Sequence, residues 1–250
     1  MVIWLQAGLW GALAGGALVV GALIAWFVHV PRSVVATVMA FGAGVLISAL
    51  AFDLMAEAES KGGLTPTLIG FLGGAAVYVA ANVTLARRGA RHRKRSEDQQ
   101  PSEGEQGGSG TAIAIGALLD GVPESIVLGL TLLTGKGVGL AVLAAVFISN
   151  LPEGLSSVAG MKRAGRSARY VFGVWCGIAL ISGAAGALGV LLLQGASPEL
   201  VAAITAVAAG AILAMVADTM IPEAFERAHL YVGLVATFGF ALSFALGQLG

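Results

Sequence analysis

The sequence predicts an all-α membrane protein with eight transmembrane helices and both termini outside the cytoplasm. Of its 250 residues, 57% are hydrophobic and 11% are charged, whereas a soluble domain is about half apolar and about a quarter charged. The apolar residues form long, uninterrupted stretches, and the lysines and arginines gather in alternate loops. Because a backbone in lipid must satisfy its own hydrogen bonds, and these stretches lack the alternation of a membrane barrel, they predict helices.

The apolar stretches divide the chain into eight segments of roughly the 20 residues that one crossing needs. We place them at 2–27, 33–57, 65–87, 111–134, 137–160, 170–193, 199–224 and 230–249. The first is too long and too weakly flanked by positive charge for a cleaved signal peptide, so we expect a membrane helix there. Residues 1–250 then form a single transmembrane domain.

Positive charge orients these segments. All but two of the 14 lysines and arginines fall in the first, third, fifth and seventh loops, the exceptions being Lys61 and Lys136. Such loops stay on the cytoplasmic side, so the termini are expected outside. The third loop, 88–110, is charged and rich in Ser, Gln and Gly. Because this composition cannot bury a core, we expect a flexible cytoplasmic loop between the third and fourth helices.

Acidic residues inside the predicted membrane segments point to function. An ionisable group there is costly unless it is paired, hydrated or bound to an ion. No lysine or arginine lies deep enough to neutralise them, so we expect metal ions or protons to complete the site. The residues are Asp53, Asp120, Glu124, Glu153, Asp218 and Glu223.

Two motifs in the fourth and fifth segments place a proline directly before a glutamate. They are DGVPES at 120–125 and SNLPEG at 149–154. Each proline removes the hydrogen bond to the carbonyl four residues earlier, which creates polarity that is tolerated only in a cavity or under protein. The motifs therefore predict an ion site. The alternative is that each proline is only a kink and each glutamate is protonated within a helix interface.

The spacing within the motifs defines the candidate ligands. Asp120 and Glu124 are four residues apart, as are Ser149 and Glu153, so each pair lies on one helix face. With Asn150 binding through its carbonyl, the site is all oxygen. Oxygen ligands suit magnesium, calcium or manganese, although zinc also accepts carboxylates.

At these motifs the sequence resembles the ZIP (Zrt/Irt-like) family of divalent metal transporters. The resemblance covers nearly the whole chain: eight segments, a long loop after the third, and proline-glutamate motifs in the fourth and fifth. FDLMAEA at 52–58 is similar to the family's second-helix FDLLPEA, and ADTMIPEA at 217–224 is similar to its seventh-helix pattern ending in IPEA.

The resemblance implies a ZIP-like 3+2+3 helix bundle and uptake of divalent cations such as zinc, manganese, iron or cadmium. The metal is the substrate, and no organic cofactor is implied. The metal-binding role of the family's glutamates carries over onto Glu124 and Glu153. Family members usually have histidine at the positions of Asp120 and Ser149. We therefore expect a broader or harder ion preference than that of the usual zinc transporter.

Two further departures concern a second metal, which some family members bind beside the first. Gly121 stands at an asparagine position, and Gly186 stands at the position of a sixth-helix glutamate. We therefore expect a single metal site. By the same resemblance, Asp53 belongs to the entrance, while Asp218 and Glu223 near the inner end of the seventh helix are assigned to the exit. The alternative for these three is a hydrated or charged residue near a helix end.

The remaining expectations concern energy, partners and rival functions. The chain has no nucleotide-binding P-loop, so transport should follow the ion gradient and membrane potential, with proton exchange left open. We expect that the protein is not an enzyme and that it lies in a prokaryotic plasma membrane. Its expected partners are membrane lipids and not nucleic acid, and whether it forms a homodimer is left open. The rivals are a degenerate ZIP-like metal sensor or scaffold that no longer transports and an intramembrane hydrolase, for which no GxGD-type or HExxH motif is present.

Overall fold

Helices make up nearly all of the computed structural model, which describes residues 2–90, 109–134 and 139–249. No strand occurs in these ranges, and the predicted all-α membrane fold class is confirmed. The helices are α1 (Ile3–Phe27), α2 (Arg32–Ala49), α3 (Ala56–Gly62), α4 (Leu64–Leu85), α5 (Ser109–Thr131), α6 (Leu140–Arg163), α7 (Ala168–Leu193), α8 (Pro198–Met215), α9 (Ile221–Ala228) and α10 (Val232–Leu249).

Short turns of wider or tighter winding join some of these helices into longer rods. A π-helical turn at Leu50–Met55 links α2 to α3, and another at Val216–Met220 links α8 to α9. The resulting spans, Arg32–Gly62 and Pro198–Glu226, correspond to the second and seventh predicted segments. A third π turn, Ala86–Ala90, follows α4.

The protein is a multi-pass membrane protein. In the ranges that the structure describes, seven helical spans are long and apolar enough to cross a membrane. The eighth predicted segment corresponds to α10, whose apolar stretch Val232–Gln248 is shorter than the others. Helix flanks the predicted 88–110 loop on both sides, up to Ala90 and again from Ser109. Residues 91–108 of that loop lie outside the described residues.

The helices pack in two groups. In the first, α1 runs along α6 and α7, and α5 also packs on α7. In the second, α4 packs on α8 and α2 packs on α10. Helix α2 joins the groups, because it also contacts α6 and α9. The two motif-bearing helices, α5 and α6, touch each other little and are held mainly by their shared neighbours.

Helices α1 and α6 meet at two glycines. A side-chain carbon on Gly21 would collide with the Leu151 carbonyl, and one on Gly154 would collide with the Leu18 carbonyl. Only glycine at both positions lets the two backbones come so close. Because Gly154 ends the SNLPEG motif, this contact fixes α6 immediately beside Glu153.

The largest apolar cluster surrounds the motif-bearing helices. It combines residues of α2, α5, α6 and α8 with the α8–α9 junction, and its members are almost entirely removed from the surface. Representative members are Met39, Leu46, Val127, Leu128, Val146, Ile212, Met215 and Met220. The acidic residues of α5 and α6 are therefore buried in an apolar setting.

Candidate functional site

Four of the six predicted acids are buried in the interior of the bundle. Their exposed fractions are 2% for Asp120, 1% for Glu124, 4% for Glu153 and 5% for Glu223. Moving an isolated carboxylate from water into such a setting costs far more than a hydrogen bond returns. The fold therefore keeps four carboxyl groups buried, and each destabilises the protein unless it is protonated, accepts a hydrogen bond or binds a cation.

On α5, the first of these acids accepts a hydrogen bond from another helix. The hydroxyl of Tyr78, on α4, donates to Asp120 Oδ1 over 2.6 Å, and Tyr78 is itself 1% exposed. Glu124 lies one turn further along the same face of α5. This bond ties α4, from one packing group, to α5, from the other, at the level of the DGVPES motif.

On α6, the polar side chains form a stripe. Ser149, Glu153 and Ser156 are spaced by four and then three residues, so they share one helix face. The Ser149 hydroxyl donates to the Val146 carbonyl within its own helix, at 3.0 Å. The Ser156 hydroxyl donates to Glu223 Oε1 at 3.2 Å. The stripe therefore begins in the SNLPEG motif and ends on an acid of α9.

Asn150 is anchored to α1. Its Nδ2 donates to the Ala14 carbonyl at 3.0 Å, and the side chain is 3% exposed. Because the amide nitrogen is used in this contact, the atom that can bind a cation is the carbonyl oxygen, Oδ1.

The prolines lie inside continuous helices. Pro123 falls within α5 and Pro152 within α6. A side-chain carbon on Gly42, in α2, would lie 3.1 Å from Ser149 Cα and 3.6 Å from the Ile148 carbonyl oxygen. The carbonyl that Pro152 leaves without its helical donor is therefore covered by α2, as a polar backbone group in a membrane must be.

Backbone atoms fill the space beside Gly186, where the resemblance to the ZIP family would place a sixth-helix acid. A side-chain carbon on Gly186 would lie 2.8 Å from the Ala7 carbonyl oxygen and 3.1 Å from that of Ser125. At Gly121 the nearest atom would be Ser182 Oγ at 3.4 Å, which is ordinary contact. Of the two glycines, Gly186 is therefore the one that leaves no room for a ligand side chain.

The remaining two predicted acids lie in the π turns. Asp53 is partly buried, and its Oδ1 lies 3.6 Å from where a side-chain carbon of Gly247 would stand. Asp218 is exposed, and its Oδ2 accepts from Asn82 Nδ2 at 3.4 Å. Single π turns inside α-helices occur often at functional sites. The similar motifs FDLMAEA and ADTMIPEA thus share an unusual backbone as well as an acid.

The acids do not form a compact cage. Across residues 2–90, 109–134 and 139–249, no three Asp, Glu, His or Cys side chains are grouped closely enough to hold a metal ion. The candidate site is instead a set of buried carboxylates and hydroxyls distributed over α5, α6 and α9. Any ion that binds several of them must draw these helices together or use water and backbone oxygens as well.

Two functional candidates were missed by sequence reasoning. Tyr78 carries no charge, and its partner is far away in the sequence, so nothing local indicates the contact with Asp120. Ser156 could have been found, because it lies seven residues after Ser149 and so returns to the same helix face.

No protein-family model matches the chain, and no curated protein matches it. The chemistry of the buried side chains therefore carries the functional argument.

Proposed function

We propose that the protein carries a divalent metal cation across the membrane into the cytoplasm. The observation that carries this proposal is the burial of Asp120, Glu124 and Glu153 at 4% exposure or less in the apolar interior. Buried carboxylates in a membrane protein mark ion or proton pathways because a bound cation offsets their desolvation cost. The ligand set consists of these three acids with Ser149 and Asn150.

The chemistry of this set governs which ions it accepts. Every ligand atom is oxygen, and the anchored amide of Asn150 presents its carbonyl. Hard cations such as manganese, magnesium and calcium prefer oxygen, while zinc, iron and cadmium also bind carboxylates. We expect manganese to be carried at least as well as zinc.

The proposed route continues from Glu153 towards α9. Ser156 bridges the α6 stripe to Glu223 at the start of α9, and the exposed Asp218 in the α8–α9 junction gives the proposed exit a second acid. Asp53, partly buried in the other π turn, is the proposed entrance. These roles require eight crossings with both termini outside, and we propose that arrangement, the ZIP-like 3+2+3 bundle, and a prokaryotic plasma membrane location.

A non-transporting metal sensor or scaffold is the second candidate. The observation that favours it is that backbone fills the space beside Gly186, the position at which the resemblance places a sixth-helix acid. A sensor needs only a binding event that shifts the helices, whereas a transporter must also release the ion on the other side.

Flux measurements distinguish a transporter from a non-transporting sensor. Purified protein in liposomes would be tested with Mg, Ca, Mn, Fe, Co, Ni, Zn and Cd, against empty liposomes and with metal binding measured in parallel. Saturable flux of one or more ions supports transport, and manganese flux at or above that of zinc supports the oxygen-ligand argument. Saturable binding without flux of any ion in folded, reconstituted protein supports the sensor.

A further inference from the structure

A basic cavity lies where α6 continues beyond the SNLPEG motif to its last turns. It has a volume of about 370 Å³, opens to the surface, and is lined by the chain from the end of α1 to the start of α2 and by the last turns of α6. His29, Arg32, Lys162 and Arg163 contribute to its lining. Within the described part of the chain, the charged residues that line it are all basic.

The cavity lies at a depth typical of the membrane interface. Lys162 Nζ donates to the Trp26 carbonyl at 2.6 Å and lies 5.4 Å from the centre of the Trp26 ring. Tryptophan is enriched where lipid headgroups meet the hydrocarbon, and a lysine beside it extends toward the headgroups. This contact between α1 and α6 holds Lys162 beside Trp26, an arrangement typical of the headgroup region.

The walls of the cavity combine basic and apolar side chains. Phe27 and Leu155 line it together with the basic groups. A free inorganic anion would use only the charged part of such a site. A lipid would use both parts, because its phosphate would lie among the arginines and its glycerol and first methylenes would lie on the apolar wall.

We propose that this cavity binds the phosphate group of an anionic phospholipid from the leaflet that faces the basic loops. Arg32 and Arg163 supply the planar, multidentate donors that suit phosphate oxygens. Basic pockets between membrane helices on the cytoplasmic side hold anionic headgroups. Because Arg32 begins α2 while Arg163 ends α6, a bound headgroup links the two helix groups. This inference is independent of the proposed transport function.

Thermal unfolding in a neutral detergent tests the proposal with the full-length protein. The probes are short-chain phosphatidylglycerol, short-chain phosphatidylcholine and inorganic phosphate, each titrated separately. We expect phosphatidylglycerol to raise the unfolding temperature saturably and phosphatidylcholine not to do so. Since each basic residue near such a surface contributes on the order of one kcal/mol, Arg32→Gln/Arg163→Gln should weaken half-saturation by about thirtyfold.

Matched control variants distinguish binding at this cavity from general electrostatic attraction between the lipid and the protein surface. Arg88→Gln/Arg169→Gln removes two exposed arginines that do not line the cavity and should leave half-saturation unchanged. Arg32→Lys/Arg163→Lys keeps the charge but loses the planar donors, so its half-saturation should lie between those of the wild type and the glutamine pair. An unchanged unfolding temperature of the glutamine pair without lipid shows that its weaker response does not reflect misfolding. If Arg88→Gln/Arg169→Gln weakened half-saturation by phosphatidylglycerol as much as the cavity pair does, the proposal would be overturned. Saturation by inorganic phosphate at the same concentration as the lipid would overturn the assignment to a lipid.

Discussion

The Tyr78 hydroxyl donates a 2.6 Å hydrogen bond to the Asp120 carboxylate, joining α4 to α5 inside the bundle. The two residues belong to different packing groups, since α4 packs on α8 and α5 packs on α7. One oxygen of a proposed metal ligand is therefore already engaged by a protein donor. A cation can bind Asp120 through its other oxygen or share Oδ1 with the tyrosine hydroxyl, so the hydrogen bond from Tyr78 orients the carboxylate without blocking it.

Replacing Tyr78 by Phe removes the hydroxyl and keeps the ring in its buried place. Because a buried hydrogen bond to a charged group is lost, we expect unfolding to become easier by about 1 to 3 kcal/mol. A double-mutant cycle with Asp120→Ala, which removes the acceptor, followed by chemical or thermal unfolding in detergent, isolates the pair. Additive losses would mean that the two side chains are not coupled.

Two variants at the Ser156–Glu223 contact distinguish whether transport depends on the charge of Glu223 or on its hydrogen bond to Ser156. Glu223→Gln can still accept from Ser156 but has no charge, whereas Ser156→Ala keeps the charge and removes the donor. If Glu223 belongs to the exit, we expect Glu223→Gln to lower maximal flux more than Ser156→Ala does. The reverse order in liposome flux would indicate that Glu223 is only a structural acceptor. Glu59→Gln, at an exposed acid, is the control.

Two glycines on α1 provide a matched test of the contact that positions the SNLPEG motif. A methyl group on Gly21 would collide with the backbone of α6, whereas one on Gly16 would meet nothing within 4 Å. We expect Gly21→Ala to destabilise the protein by about 1 to 3 kcal/mol through overpacking. Gly16→Ala should be neutral or slightly stabilising, because alanine favours helix. Unfolding midpoints check both, and equal midpoints would contradict the close α1–α6 approach.

Protons and metal ions should compete for the buried carboxylates. Both neutralise the same oxygens, so the half-saturating metal concentration for flux should rise as pH falls from about 8 to about 5. Flux measured against metal concentration at several pH values checks this, and Glu59→Gln should show the same trend as the wild type. A half-saturation that stays constant over this range would contradict competition between protons and the metal for these oxygens.

The sequence predicted much of the helical layout because apolar length and charge are local properties. Within the described residues, each of the eight predicted segments falls on helix, and seven helical spans are long and apolar enough to cross a membrane. The second segment continues past its predicted end at 57 to Gly62. The π turns at Leu50–Met55 and Val216–Met220 could not be predicted, since their shifted hydrogen bonds leave no mark in composition. Acids at both turns were visible in the sequence, but the backbone that carries them was not.

The candidate site was only partly predictable for a similar reason. Helical spacing placed Asp120 and Glu124 on one face, and Glu153 with Ser149 on another, because such relations depend on a single helix. The contact of Asp120 with Tyr78 depends on how α4 and α5 pack, which spacing within one helix does not determine. Likewise, the two motif-bearing helices are held mainly by shared neighbours such as α1 rather than by each other.

The central claim is that a cation crosses the membrane by way of the buried glutamates of the two motifs. The most direct measurement is manganese and zinc flux into liposomes for Glu124→Gln/Glu153→Gln, compared with Glu59→Gln/Glu199→Gln, which removes two exposed acids. The account predicts that the buried pair abolishes flux while the exposed pair retains it. Undiminished flux in the folded, reconstituted Glu124→Gln/Glu153→Gln protein would contradict the account.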